Sequence, residues 1–151
     1  MTRTTVAAPA DLLDLVGNPL GSSEWHEITQ QQVNLFAEAT GDHQWIHVDA
    51  ERAAAGPFGG TIAHGYLTLA LAPLLIDETL EVRELLAALN YGLNKVRFPA
   101  PVAVGARIRG TVTLQAAQPR AGGVEAVFAL VWDLEGSDRP ACVAEVVVLY
   151  R

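Results

Sequence analysis

The chain is predicted to be an α+β fold, an antiparallel β-sheet wrapped around one central apolar α-helix. Three observations carry this expectation. The segment Tyr66 to Ile76, YLTLALAPLLI, has no polar face, and a helix of that kind must be enclosed by other structure. The second half of the chain alternates apolar and polar residues in long runs, the signature of half-buried strands. The stretches between those runs are too short for the crossover helix that a parallel sheet needs.

The elements follow in order. Pro9 to Val16 reads as a short helix ended by Gly17, Pro19 and Gly21. Thr29 and Gln32 have capping-box spacing, and Val33, Phe36, Ala37 and Thr40 then fall on one face of a helix. Gly41 stops that helix where a left-handed residue is favoured, so GDHQWIH, Gly41 to His47, begins a loop. GPFGG, Gly56 to Gly60, forms turns, and Pro73 kinks or shortens the central helix. Thr79 to Leu89 admits either a helical extension or a loop. Leu89, Tyr91 and Leu93 alternate, then the phase slips to Val96 and Phe98, which predicts a β-bulge near Asn94 and Lys95. Ile108 to Gln115 and Val124 to Leu134 keep strict alternation. Ala141 to Tyr150 is apolar enough for a strand buried on both faces.

With 151 residues, half of them apolar and 18% charged, one domain over residues 1–151 with a sizeable core is expected. There is no internal repeat, low-complexity tract or linker. A net charge of −7 argues against nucleic acid, which needs clustered cations. The single Cys142 excludes an intrachain disulfide and fits a reducing cytoplasm. The N-terminus lacks the apolar core of a signal peptide, and Tyr66 to Ile76 falls short of the roughly 20 residues that span a bilayer. A soluble, cytoplasmic protein without a membrane partner is expected.

Asp42 and His47 are the first chemical candidates. A loop can fold them toward one point, and burial of the apolar Trp45-Ile46 between them would tune both groups for proton handling. Spacing alone favours a turn-capping Asp42 and a surface His47. A metal reading uses the i, i+4 pair His43 and His47 with Asp42 and His64, but Gly41 and Val48-Asp49 do not sustain the helix that would align the imidazoles, so no metal is expected. His64-Gly65 opens the central helix, where unpaired N–H groups can face a carbonyl that gains charge and Gly65 permits close approach. A plain turn into a buried helix is the alternative there. Cys142, Trp25 and Trp132 read as packing residues, and Asn94, Lys95 and Arg97 as a small polar group beside the bulge.

Taken together, FAEATGDHQWIHVDAERAAAGPFGGTIAHGYLTLAL, from Phe36, resembles the hydratase-2 motif of the MaoC-like dehydratases, R-specific enoyl-CoA hydratases of the hot dog fold. LNKVRFPAPVAVGARI, Leu93 to Ile108, is similar to the strand, turn and strand that follow that family's central helix. The resemblance implies that Asp42 and His47 are a catalytic dyad activating water. It implies that backbone N–H groups around His64 and Gly65 hold the thioester oxygen, with Gln44 as a further substrate contact. Asn94 is a substrate-contact candidate from its own polar chemistry beside the bulge, with an exposed strand face as the favoured alternative. The family usually has Asn-Pro where this chain has Gln44-Trp45, so Gln44 would take over the Asn hydrogen bonds and Trp45 would narrow or reshape the acyl pocket.

The implied activity is reversible hydration of a trans-2-enoyl-CoA to the (R)-3-hydroxyacyl-CoA, with no cofactor because coenzyme A belongs to the substrate. A homodimer is implied as well. A non-catalytic acyl-thioester binder is the alternative. A thioesterase is disfavoured because Tyr66 to Ile76 lacks the acidic residue that hot dog thioesterases place in the central helix.

Overall fold

The computed structural model describes residues 2–151. A short strand, β1, Thr4–Val6, leads into a 3-10 turn, Pro9–Leu15. The Ala8 N–H donates to the Asp11 carboxylate at 2.9 Å, Pro9 supplies a preset φ, and Gly17 ends the turn at φ 86°. The expected short helix is therefore present in its tighter form. Two further strands, β2, Pro19–Ser22, and β3, His26–Glu27, follow. The sequence predicts neither, because runs this short show no alternation.

Helix α1, Gln30–Thr40, is capped as expected: the Gln32 N–H donates to the Thr29 hydroxyl at 3.1 Å, and Gly41 closes it at φ 83°. Val33 and Ala37 are buried and Phe36 half-buried, but Thr40 is exposed rather than inward-facing, its hydroxyl donating back to the Phe36 carbonyl. The segment after Gly41 is not a plain loop. It holds one helical turn, α2, Trp45–Val48, and a second, α3, Ala50–Ala54, which Asp49 caps by accepting the Arg52 N–H at 3.0 Å.

The central helix comes in two pieces, α4, Gly65–Ala70, and α5, Ala72–Asp77. Pro73 has no N–H to offer the Leu69 carbonyl and its ring crowds it, so the chain breaks at Leu71. Leu67, Thr68, Ala72, Leu75 and Ile76 are buried. Tyr66 at 72% and Leu74 at 42% exposure are not, which corrects the expectation of a helix enclosed on every side within one chain. Thr79 to Leu89 is neither helix nor simple loop: it contains β4, Leu80–Val82, paired in parallel with β1.

Four long strands complete the sheet: β5, Ala88–Arg97, β6, Arg107–Arg120, β7, Gly123–Leu134, and β8, Cys142–Tyr150. Their order is β2-β6-β7-β8-β5, with β3 also on β6, and every pair in this sheet is antiparallel. The register Val112↔Leu130 and Leu114↔Phe128 puts the predicted apolar sets of β6 and β7 on one buried face. The predicted bulge lies between Leu93 and Val96, and a second, unpredicted one between Asn90 and Gly92. β8 is buried from Val146 onward, whereas Val143 is 40% exposed, so only its second half is covered on both sides. Gly110 of β6 lies directly under the central helix, where a Cβ would stand 2.7 Å from the Leu75 Cβ. That close approach seats α5 across the curved sheet, the arrangement of a hot dog fold. No helix among the described residues is long and apolar enough to cross a membrane.

Candidate functional site

Two chain segments run side by side at the mouth of the central helix. The Ile62 N–H donates to the Ile46 carbonyl at 3.0 Å, and the Ala63 N–H to the Val102 carbonyl at 2.8 Å. Gln30 of α1 ties the pair from behind: its side-chain amide donates to the His47 carbonyl at 2.8 Å while its oxygen accepts from the Thr61 hydroxyl at 2.6 Å. This lacing brings Asp42, His47 and His64 into one cluster, with contacts between residues 15 and 22 apart in sequence.

His47 is buried on α2, and its Nδ1 lies 2.7 Å from the Ile62 carbonyl. A carbonyl only accepts, so Nδ1 carries the proton and, in the neutral ring, Nε2 keeps its lone pair. His64 caps α4 and is also buried, with Nε2 2.9 Å from the Asp42 carbonyl; by the same reasoning that nitrogen is the protonated one. Its Nδ1 is buried without a partner among the described residues. The two imidazoles stack at 3.9 Å with 24° between their planes, and Phe36 sits against the His64 ring at 4.9 Å. Asp42 itself is exposed, its carboxylate accepting the Gln44 N–H at 3.3 Å.

Asp42, His47 and His64 each place one polar side-chain atom within 4.8 Å of the others. A set this compact invites comparison with a divalent-cation site. The stacked rings direct their in-plane lone pairs side by side instead of toward a common point, which is a poor fit to tetrahedral coordination. His43 is outside the cluster, exposed and 3.7 Å from Glu38.

The three residues open onto a chamber of about 260 Å³ that is completed by Gly65, Tyr66 and Phe98. An adjoining cavity of about 340 Å³ shares His47, Gly65 and Phe98 with it and, apart from Thr68, is otherwise apolar, reaching Phe58, Val102 and Ala141. Phe98 stands over Gly65, where a Cβ would lie 3.4 Å from the ring, so the glycine leaves room for an aromatic wall. The first turn of α4 leaves the Gly65 and Tyr66 N–H groups without intrahelical acceptors. A further apolar groove, between Pro73 and the Tyr91–Leu93 part of β5, carries no carboxylate or imidazole.

Asp42, His47, His64 and Gly65 are thus brought together. Gln44 and Asn94 are not: Gln44 is exposed and contributes its backbone to the Asp42 turn, and Asn94 is exposed on the edge strand β5, outside both cavities. Trp45 does not narrow the apolar cavity. It packs outward on Gly56, whose Cβ would be 3.0 Å from the ring, with the Arg52 guanidinium 4.3 Å above it. Sequence reasoning missed Gln30, Phe58, Phe98 and Ala141. Phe58 and Phe98 lie inside the two stretches that carry the family resemblance, and Gln30 beside the capping threonine, but no local pattern marks any of them as a site residue.

A family profile described as "MaoC like domain" matches residues 11–129. The chain is 56% identical over 147 residues to 3-hydroxyacyl-thioester dehydratase Z of Mycobacterium tuberculosis (strain ATCC 25618 / H37Rv), covering 97% of each. It is 43% identical over 145 residues to nodulation protein N of Rhizobium leguminosarum bv. viciae, covering 94% of this chain and 90% of the relative. Among solved structures it is similar to the (R)-hydratase from A. caviae involved in PHA biosynthesis, with a TM-score of 0.69 and 25% identity over 85% of this chain and 93% of the other.

Proposed function

The chain belongs to the family of MaoC-like domains, a group of dehydratases and hydratases, and from that premise we propose that it is an R-specific enoyl-CoA hydratase working through Asp42 and His47. The reaction is the reversible interconversion of a trans-2-enoyl thioester and its (R)-3-hydroxyacyl counterpart. The observation that carries the reading is the placement of His47: its Nδ1–H is committed to the Ile62 carbonyl, which leaves Nε2 free, and the residue lines one chamber with Asp42.

A water held between the Asp42 carboxylate and His47 Nε2 donates to both and turns an oxygen lone pair toward C3 of the substrate. As the C3–O bond forms, Asp42 takes one water proton, and that proton is then handed on through His47 Nε2 to C2, so that the hydroxyl ends on C3, the proton on C2, and both side chains return to their starting states. The thioester oxygen gains charge during this step. The Gly65 and Tyr66 N–H groups are its proposed donors. The acyl tail runs into the apolar cavity between Phe98 and Ala141, and protein groups and water suffice for the chemistry. We further propose a homodimer joined along β5. This terminal strand of the sheet leaves Leu89, Tyr91 and Leu93 between 44% and 57% exposed, and an unpaired edge of that length invites a partner strand.

The test follows the enoyl absorbance of crotonyl-CoA with wild type and Asp42→Asn. Loss of absorbance with wild type and a kcat lower by about 10²- to 10⁴-fold in Asp42→Asn, the range for removing a general base, support the reading. Binding without turnover moves the assignment to a non-catalytic acyl-thioester binder, and release of free coenzyme A to a thioesterase.

A further inference from the structure

We infer that the His64 side chain is a positioning residue of this site, holding Asp42 in place through its main chain without touching the substrate. The inference rests on the hydration reading above. His64 is 2% exposed and its Nδ1 is sealed from solvent, so the side chain is closed to a reacting group even though the residue borders the chamber.

What it does reach is both members of the dyad. Its Nε2–H donates to the Asp42 carbonyl at 2.9 Å, and its ring lies flat on His47. These two contacts are not equally needed. His47 is already fixed by the 2.7 Å bond to Ile62, by the α2 turn and by Gln30 on its carbonyl. Asp42 is exposed, follows a left-handed glycine, and among the described residues has otherwise only a 3.5 Å contact from its N–H to Thr40 and a 3.3 Å contact on its carboxylate from Gln44. The His64 bond is the shortest tie on the residue that must aim a carboxylate at water.

The orphaned Nδ1 points the same way. A buried, unpartnered nitrogen costs stability, and an apolar ring of the same shape would avoid that cost and keep the contacts with Phe36 and His47. Imidazole at this position is therefore explained by its one donor and not by packing.

The experiment compares two variants of the full-length protein. His64→Phe keeps an aromatic ring and removes the donor. His64→Gln loses the ring but carries an amide N–H at about the distance of Nε2. The expected result is a kcat for crotonyl-CoA about 100-fold lower in His64→Phe, the scale of a misplaced catalytic group, with KM little changed and thermal stability equal to or above wild type. His64→Gln should recover most of that loss. Wild-type kcat in His64→Phe, or equal losses in both variants accompanied by a lower melting temperature, would overturn the inference. If wild type itself shows no turnover, the hydration reading fails separately, and ¹⁵N relaxation of the Asp42 and Gln44 amides still decides the point. Those amides must then be ordered in wild type and His64→Gln and mobile in His64→Phe; equal order in all three sinks the positioning role.

Discussion

Ala141→Leu should shorten the range of acyl chains that the protein accepts while sparing the shortest. Ala141 is buried at the wall of the 340 Å³ apolar cavity, across from Phe98 and away from Asp42 and His64. The substitution adds three carbons at the cavity wall. Each methylene of a substrate tail that enters the cavity contributes about 0.8 kcal/mol, roughly a fourfold gain in kcat/KM. Denying space to three of them therefore costs about 2.4 kcal/mol, or about 60-fold, for a tail long enough to have used it. The assay is kcat/KM for trans-2-enoyl-CoAs of increasing length, from crotonyl to octenoyl, by loss of enoyl absorbance. In wild type the value should climb with length; in Ala141→Leu the climb should stop early, with crotonyl-CoA within about threefold of wild type, the limit for a contact it does not make. A melting curve run alongside guards against an overpacked wall, which would cost stability. Equal losses for crotonyl and octenoyl substrates, at unchanged melting temperature, would refute the placement of the tail.

Gly110→Ala should lower the melting temperature by about 5 °C, because its Cβ would meet Leu75 at 2.7 Å and overpacking of this kind costs about 1–3 kcal/mol. Differential scanning calorimetry measures it. Tyr91→Lys should shift the protein from dimer to monomer in light scattering, since it sets a charge on each copy of an exposed edge; a dimer unaffected at low micromolar concentration would remove β5 from the interface. Burial pushes the Cys142 thiol up to about 12, so at pH 8 it is protonated as well as covered. Labelling by a thiol-specific disulfide reagent should be negligible in the native protein and stoichiometric after denaturation.

Local rules made much of the fold readable. The Thr29 cap, the Gly41 stop and the alternation on β6 and β7 depend on neighbours within a few residues, and each is where the chain placed it. Elements that depend on distant partners were not readable. β1 and β4 exist because they pair with each other across the whole helical region, and three residues carry no period of their own. The break at Leu71 was anticipated from Pro73, whereas exposure of Tyr66 and Leu74 was not, because hydrophobicity alone does not say which face a chain leaves uncovered. At the site, the resemblance drew attention to Asp42, His47, His64 and Gly65, and these four converge. Phe58, Phe98 and Ala141 come from three separate segments and become neighbours only through the sheet and the turn over it.

Gln44-Trp45 in place of the family's Asn-Pro removes a proline that would fix φ in the loop that carries Asp42 and His47. The structure supplies the missing rigidity by other means. Trp45 is wedged outward between Gly56 and the Arg52 guanidinium, which anchors α2 to α3. Gln30 and Thr61 hold the same turn from the α1 side, and Gln44 keeps a backbone contact with the Asp42 carboxylate. His47 is therefore set by three independent attachments, while Asp42 hangs on one strong bond to the buried His64. Of the two residues of the proposed dyad, Asp42 is the more weakly held, and substitutions around His64 should be felt there before they are felt at His47.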